Sequence, residues 1–279
     1  VNNLDLQDIS LKLKAEEGVI KVDPLDLKLY QGRLNTVSSL DVRQKTPAVQ
    51  LQAKLQKVRA KELLKDYAGK DYLSGTGDLD LDISTRGMTQ NQLTRHLNGQ
   101  LSFKFEDGAI KGINIPKLLR DNLKRLQGQK PDPTEVKETD FAILSASARI
   151  TRGVLNNKDL LLRSPLLQAR GAGSADLNQE QIDYALRTTI AEEVKGQGDS
   201  ELAKLAGLTI PISISGSFAD PSIVPIFKEL LPQLGLQKGL EQFKGSQELK
   251  DKIKGLRDKL QAPQESNGQE TQDSKSKTS

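Results

Sequence analysis

The sequence predicts a mainly β protein, a β-rich α+β fold built on one long, curved antiparallel sheet of hairpins. Three observations predict it: apolar and polar residues alternate in segment after segment, glycine-containing turns separate these segments, and the helical stretches between them are short. We expect the sheet to carry an apolar concave face, with amphipathic helices near the C-terminus.

The alternation has a period of two, which places successive side chains on opposite faces of a strand. In one segment, Leu79, Leu81 and Ile83 alternate with aspartates. Six segments show this pattern, at residues 25–29, 49–55, 79–83, 101–105, 182–190 and 210–214. Antiparallel sheets with one solvent-exposed face show such alternation, whereas buried parallel strands are continuously apolar.

Turn signals follow the strands in a recurring form, a polar residue and glycine before a new apolar residue. They occur at Glu17-Gly18, Gln31-Gly32, Asp107-Gly108 and Arg152-Gly153. Because glycine readily adopts the positive φ of short hairpin loops, these pairs predict a meander of hairpins.

Short helices are predicted at Ala60–Ala68, Gln90–Leu97 and Ile115–Leu126. Thr89 is a suitable N-cap for the second helix, and Pro116 suits the first turn of the third.

Two amphipathic stripes follow the last strand. The first comprises Ile223, Phe227, Leu230, Leu231 and Leu234, and the second comprises Leu249, Ile253, Leu256 and Leu260. Basic residues flank the second stripe, so it suits either a membrane surface or packing on the sheet, and Asp251 and Asp258 favour packing. We therefore predict a sheet domain at 1–222, amphipathic helices at 223–260 and a disordered polar tail at 261–279.

Composition excludes much catalytic chemistry. The 279 residues include no Cys, one His and one Met, which excludes thiolate zinc sites, disulfides and a cysteine nucleophile. A hydrolase with a histidine base would depend on His96 alone, and no acid or nucleophile brackets it in sequence. We predict no enzyme activity and no cofactor.

Three further patterns have simple structural interpretations. Asp78, Asp80 and Asp82 would lie on one strand face about 7 Å apart, too far to share one ion, so a solvated face is expected and no metal site. Gly75-Thr76-Gly77 and Gly171-Ala172-Gly173 lead into strands rather than helices, which favours a bulge or a close backbone approach over a phosphate loop.

Charge and aromatic content argue against nucleic acid as a partner. The net charge is +4 and dispersed, and the four Tyr and six Phe are scattered singly, so neither a basic stripe nor a stacking platform is expected.

The stretch from Gly75 to Ile115 combines alternating strands with the phrases Leu97-x-Gly99-x-Leu101 and Asp107-Gly108-Ala109-Ile110. Together with 141–153, 171–177 and 210–221, it resembles the C-terminal region of the AsmA-like family, and the similarity extends over about residues 1–231. The order of these phrases, more than any one of them, carries the resemblance.

The resemblance implies a protein of Gram-negative envelopes that lies in the periplasm and is anchored in the inner membrane by an N-terminal helix preceding Val1. It implies a role in outer-membrane biogenesis and a likeness to bridge-like lipid transfer proteins, with a hydrophobic groove for acyl chains and no catalytic motif. The expected partner is a phospholipid or another envelope lipid, with a membrane surface or envelope proteins as further contacts.

The predicted groove lining consists of nine residues: Leu79, Leu81, Ile83, Leu101, Phe103, Phe105, Ile210, Ile212 and Ile214. From the residues alone, a sealed core is the favoured interpretation of the same apolar face, and the resemblance reverses that order in favour of the groove. An alternative function is a scaffold that docks envelope proteins without binding lipid.

Overall fold

The computed structural model describes residues 4–131, 135–196, 200–228, 230–232 and 234. Within these ranges, twelve strands form one antiparallel sheet in which each strand pairs with the next along the chain, so the spatial order is the sequence order. The sheet is curved and does not close, which confirms the predicted mainly β fold class.

The strands are β1 (Leu6–Glu16), β2 (Val19–Leu29), β3 (Gly32–Asp41), β4 (Ala48–Arg59), β5 (Thr76–Arg86), β6 (Asn98–Lys111), β7 (Glu138–Thr151), β8 (Val154–Arg163), β9 (Leu167–Asp176), β10 (Gln181–Ile190), β11 (Thr209–Ser217) and β12 (Pro221–Pro225). The helices are α1 (Ala60–Ala68), α2 (Gln90–Arg95), α3 (Ile115–Leu126) and α4 (Ser200–Ala203), with a 3₁₀ turn at Glu192–Gly196. All six alternating segments lie in strands, and the three predicted helices are confirmed, the second ending two residues earlier than expected.

Two of the hairpin turns contain pairs of residues in the left-handed backbone conformation. Glu17 and Gly18 have φ of 46° and 77°, and Arg152 and Gly153 have 51° and 78°. Two successive residues with positive φ match the right-handed twist of the flanking strands. These two predicted turns are therefore confirmed.

At the turn between β2 and β3, Tyr30 and Gln31 take the positive φ instead of Gly32. Gly32 begins β3, where an added Cβ would lie 2.5 Å from the Gln56 carbonyl oxygen. A glycine is therefore needed at position 32 because β3 and β4 approach closely there, and not because of the turn.

The predicted turn at Asp107-Gly108 is wrong. Asp107 has φ of 50°, but β6 continues through it, and pairing with β7 extends from Gly108–Phe141 to Lys111–Glu138. Because both strands continue together, the positive φ produces an irregularity within the strand and no chain reversal.

Two predictions for the C-terminal part have different outcomes. Ile223 lies in β12 and pairs with Ile214, so it belongs to the sheet and not to a helix, and the strand crosses the boundary expected at residue 222. The second stripe, Leu249 to Leu260, and the polar tail at 261–279 lie outside the described residues.

Among the described residues, two hydrophobic clusters pack against the sheet. The larger one joins α3 to the apolar side of β7–β11, together with Val194, Leu202, Leu205, Phe227, Leu230 and Leu231. The smaller one, Leu27, Leu29 and Val58, is covered by Leu63 of α1. Between and beside them, part of the same sheet face has no such cover.

Candidate functional site

Strand register collects the apolar residues on one side of the sheet. Cross-strand partners share a face, and one row runs Leu11, Leu25, Thr36, Ala53, Leu81 and Leu101 from β1 to β6. A neighbouring row runs Leu13, Val22, Ser38, Leu51, Ile83 and Gly99. We call this side of the sheet the apolar face.

In these two rows, all within the described residues, no side chain is charged, and Thr36 and Ser38 supply the only hydroxyl groups. The face is thus able to contact hydrocarbon without burying a charge, which would be costly.

We call the part of the apolar face on β1–β6 the open section. Apart from the buried Thr36 and the small cluster of Leu27, Leu29 and Val58, it is partly accessible. Leu11 and Leu13 are 54 % and 60 % exposed, and Ile20 is 39 % exposed. Leu81, also in this section, is half-buried. Contiguous exposed apolar surface of this kind marks binding sites more often than isolated exposed residues do.

The part on β7–β11, the closed section, is a core. Ile210 and Ile212 are fully buried, and Leu186 is 5 % exposed. Val194, Leu202 and Leu205 cover it together with α3 and the segment after β12.

The nine predicted lining residues therefore share one face but fall into two environments. Leu79, Leu81, Ile83 and Leu101 are half-buried in the open section. Phe103, Phe105 and Ile214 are partly buried against the large core, and Ile210 and Ile212 lie within it. Ile210 and Ile212 have no accessible surface because the covering elements pack on them, so an open lining does not describe these two positions.

Two aromatic rings mark the boundary between the sections. The ring centroids of Phe103 and Phe105 are 5.7 Å apart with an interplanar angle of 47°, a tilted arrangement that aromatic pairs favour. Gly77 lies beneath Phe105, since an added Cβ would be 2.0 Å from its ring carbon Cδ1. The absence of a side chain at Gly77 lets this ring lie flat on the sheet.

Helix α3 is the main cover of the closed section. Leu119 and Leu123 are fully buried on it, and Ile115 is 4 % exposed. Residues at i, i+4 and i+8 lie on one helix face, so this spacing turns a single stripe toward the sheet.

Polar contacts fix the start of α3 against β7. The Asn114 side chain accepts a hydrogen bond from the Lys117 amide at 2.8 Å, which satisfies one free N–H of the first turn. The buried Thr139 hydroxyl accepts from the Ile115 amide at 3.0 Å and donates to the Ile113 carbonyl at 2.8 Å. The cover is therefore held by hydrogen bonds as well as by apolar contact.

A polar group interrupts the apolar face near the boundary. The Tyr184 hydroxyl donates to the Asn157 side-chain oxygen, and burial, with a smaller effect of the Asp159 charge, raises the pKa of Tyr184. The phenol therefore stays neutral and uses its proton in the hydrogen bond to Asn157. The row of Leu81 and Leu101 thus leads to a polar pair whose hydrogen bond is formed.

The residues that were considered for catalysis or metal binding do not lie on the apolar face. Asp78, Asp80 and Asp82 are exposed, with Asp80 3.6 Å from the Lys54 ammonium and Asp82 accepting from Gln52. His96 caps the end of α2, where its Nδ1 lies 2.9 Å from the Gln92 carbonyl oxygen. Among the described residues, no three His, Cys, Asp or Glu side chains cluster to hold a metal ion.

The paired glycines mark close packing. An added Cβ would lie 2.6 Å from the Leu186 side chain at Gly171 and 2.5 Å from the Tyr184 ring at Gly173. This agrees with the interpretation as close approach.

The sequence did not identify the cover formed by Val194, Leu202 and Leu205. The available signal was the Leu202–Leu205 spacing, which is typical of a helix face, but α4 has only four residues. Such short elements depend on tertiary packing, so periodicity does not reveal them.

An open antiparallel meander with an uncharged apolar face, sealed at its C-terminal part, defines a β-rich protein with a surface suited to hydrocarbon. The chain belongs to the AsmA family, whose family model matches residues 1–160.

The chain is similar to Protein AsmA of Escherichia coli (strain K12), with 22 % identity over 218 residues. The match covers 77 % of this chain and 35 % of that protein, so the chain spans about a third of the length of this curated relative. No solved structure matches the chain. Within the described residues, no helix is long and apolar enough to span a membrane.

Proposed function

We propose that the protein is a non-enzymatic module of the cell envelope that binds or conducts lipid acyl chains on the open section, in support of phospholipid transport and outer-membrane biogenesis. Membership of the AsmA family supports an envelope role related to outer-membrane assembly or lipid transport. A periplasmic location with an inner-membrane anchor belongs to the same proposal.

The observation that carries the proposal is the uncharged apolar surface across β1–β6, where Leu11 and Leu13 remain more than half exposed. Water-exposed aliphatic surface is unfavourable, and a bound acyl chain would remove it from water.

The dimensions fit one acyl chain. Five strand-to-strand steps of about 4.8 Å span about 24 Å from β1 to β6. One leaflet of a bilayer core is about 15 Å deep, so an extended acyl chain fits along this path. Burial would contribute about 0.8 kcal/mol per CH₂ group.

The lining also favours movement over fixed binding. Aliphatic contact is non-directional and depends on area, and the rows from β1 to β6 contain only hydroxyl groups as polar contacts. The covered core beyond Phe103 and Phe105 closes this path, so acyl chains would enter from the side of β1.

One observation favours the second candidate, a scaffold that docks envelope proteins without lipid. All eleven residues of β1 are exposed, and in the part of the chain that the structure describes this strand pairs with β2 alone. Strand edges of this length are able to pair with another extended segment.

The test is native mass spectrometry of the purified chain after incubation with phospholipid. Leu81→Asp should abolish the lipid-bound species while leaving the fold intact, because a half-buried position still reaches water but a carboxylate repels hydrocarbon. Val37→Asp is the matched control, since Val37 is 36 % exposed and pairs with Gln52 on the polar face.

Absence of lipid from the wild-type chain, or equal loss in both variants, would contradict acyl binding on this face and favour the scaffold. Unfolding of Leu81→Asp would show that the section is a sealed core.

A further inference from the structure

The polar face of β8–β10 carries three arginines close together. Arg170 on β9 pairs directly with Arg187 on β10, and Arg163 on β8 pairs with Gln168, two residues from Arg170. We call these three residues the arginine patch. All three are exposed.

The pleat fixes their spacing. Adjacent strands lie about 4.8 Å apart and alternate residues about 6.8 Å apart along a strand, so the Cα atoms of Arg163 and Arg170 are about 8 Å apart. Arg170 and Arg187 are closer still, as direct partners. Three long side chains at this spacing can bring their guanidinium groups to one point.

Among the residues that the structure describes, no carboxylate pairs with any of the three positive charges. Within the described ranges, none of the three guanidinium groups has a hydrogen bond or an ion pair. Three cations elsewhere on the same face do have partners: Lys54 lies 3.6 Å from Asp80, Lys28 2.6 Å from Asp8 and Lys104 2.5 Å from Glu106.

Like charges directly across two strands destabilise a sheet. The Arg170–Arg187 pair therefore opposes folding locally, and such conflicts between local rules and the fold are typical of functional sites. A bound anion would remove the repulsion.

We infer that the arginine patch is a binding site for a phosphate group, carried by a lipid headgroup or free in solution. Guanidinium groups form paired hydrogen bonds to phosphate oxygens and desolvate more easily than ammonium groups. The opposite face of the same strands is the closed core, with Leu162, Ala169 and Leu186 buried, so the patch is held on a rigid base. The inference does not depend on acyl-chain binding, which concerns the other face.

The test compares binding of the full chain to vesicles of phosphatidylcholine with and without phosphatidylglycerol, and to inorganic phosphate by calorimetry. In the patch variant, Arg163→Gln, Arg170→Gln and Arg187→Gln are combined. The matched control combines Lys14→Gln, Lys28→Gln and Lys54→Gln, which removes the same charge from exposed positions on β1, β2 and β4.

The patch variant should lose at least about tenfold in affinity for phosphatidylglycerol vesicles, because each basic residue near an anionic surface contributes appreciably, and the control should lose much less. If inorganic phosphate binds as well as the vesicles and competes with them, the ligand is free phosphate; if it does not, the ligand is the headgroup.

Equal loss in patch variant and control would overturn the inference, since binding would then reflect net charge alone. Binding of poly-glutamate in preference to both phosphate probes would also overturn it and assign the patch to an acidic protein. Lipid-bound species in native mass spectrometry should persist in the patch variant, so failure of this site and failure of acyl binding are distinguishable.

Discussion

At the scale of single residues, glycines on the strands make room for larger side chains that pack on the apolar face. Gly77 leaves room for the Phe105 ring, and Gly171 and Gly173 leave room for Leu186 and Tyr184. From the position of these glycines in strands, the sequence predicted either a bulge or a close backbone approach. It did not show which ring each accommodates, because that depends on cross-strand register.

Gly77→Ala should destabilise the protein by about 1–3 kcal/mol, the usual cost of overpacking. The added methyl group would collide with the Phe105 ring, whose Cδ1 is 2.0 Å from the ideal Cβ position. Urea unfolding measures the free-energy change. In a Phe105→Leu background the cost should shrink, and an undiminished cost would show that the ring is not the cause.

At the scale of elements, the same sheet is a core in one part and a surface in another because only some strands are covered. Strands and the three longer helices were predictable, since alternation and helical spacing are local signals. The way in which other segments cover the closed section was not predictable, because Val194, Leu202 and Phe227 contact the sheet through long-range packing. For the same reason, Ile210 and Leu81 look alike in sequence but differ in burial.

Removing an apolar side chain from the cover should cost far more than removing one from the open section. Leu119→Ala should destabilise the protein by about 2–5 kcal/mol, because Leu119 is fully buried and leaves a cavity. Leu81→Ala, the matched change at a half-buried strand position, should cost much less. The midpoints of denaturant unfolding compare them, and similar values would mean that the open section is as well packed as the core.

At the scale of the whole molecule, the sheet separates two chemistries on its two faces. The apolar face across β1–β6 is uncharged in the rows of Leu81 and Ile83, whereas the opposite face carries the aspartate row of β5 and the arginine patch. The sequence predicted this two-sided character, since alternation assigns residues to opposite faces. It could not predict how charges group on the polar face, because that grouping follows from strand order.

If acyl chains bind on the apolar face, lipid should protect that face from chemical labelling. The chain contains no cysteine, so Leu81→Cys and Val37→Cys each introduce one unique thiol, on the apolar and the polar face. The rate of maleimide labelling is measured with and without phospholipid. Lipid should slow labelling at position 81 and leave labelling at position 37 unchanged. Equal rates at position 81 with and without lipid would contradict acyl-chain binding on this face.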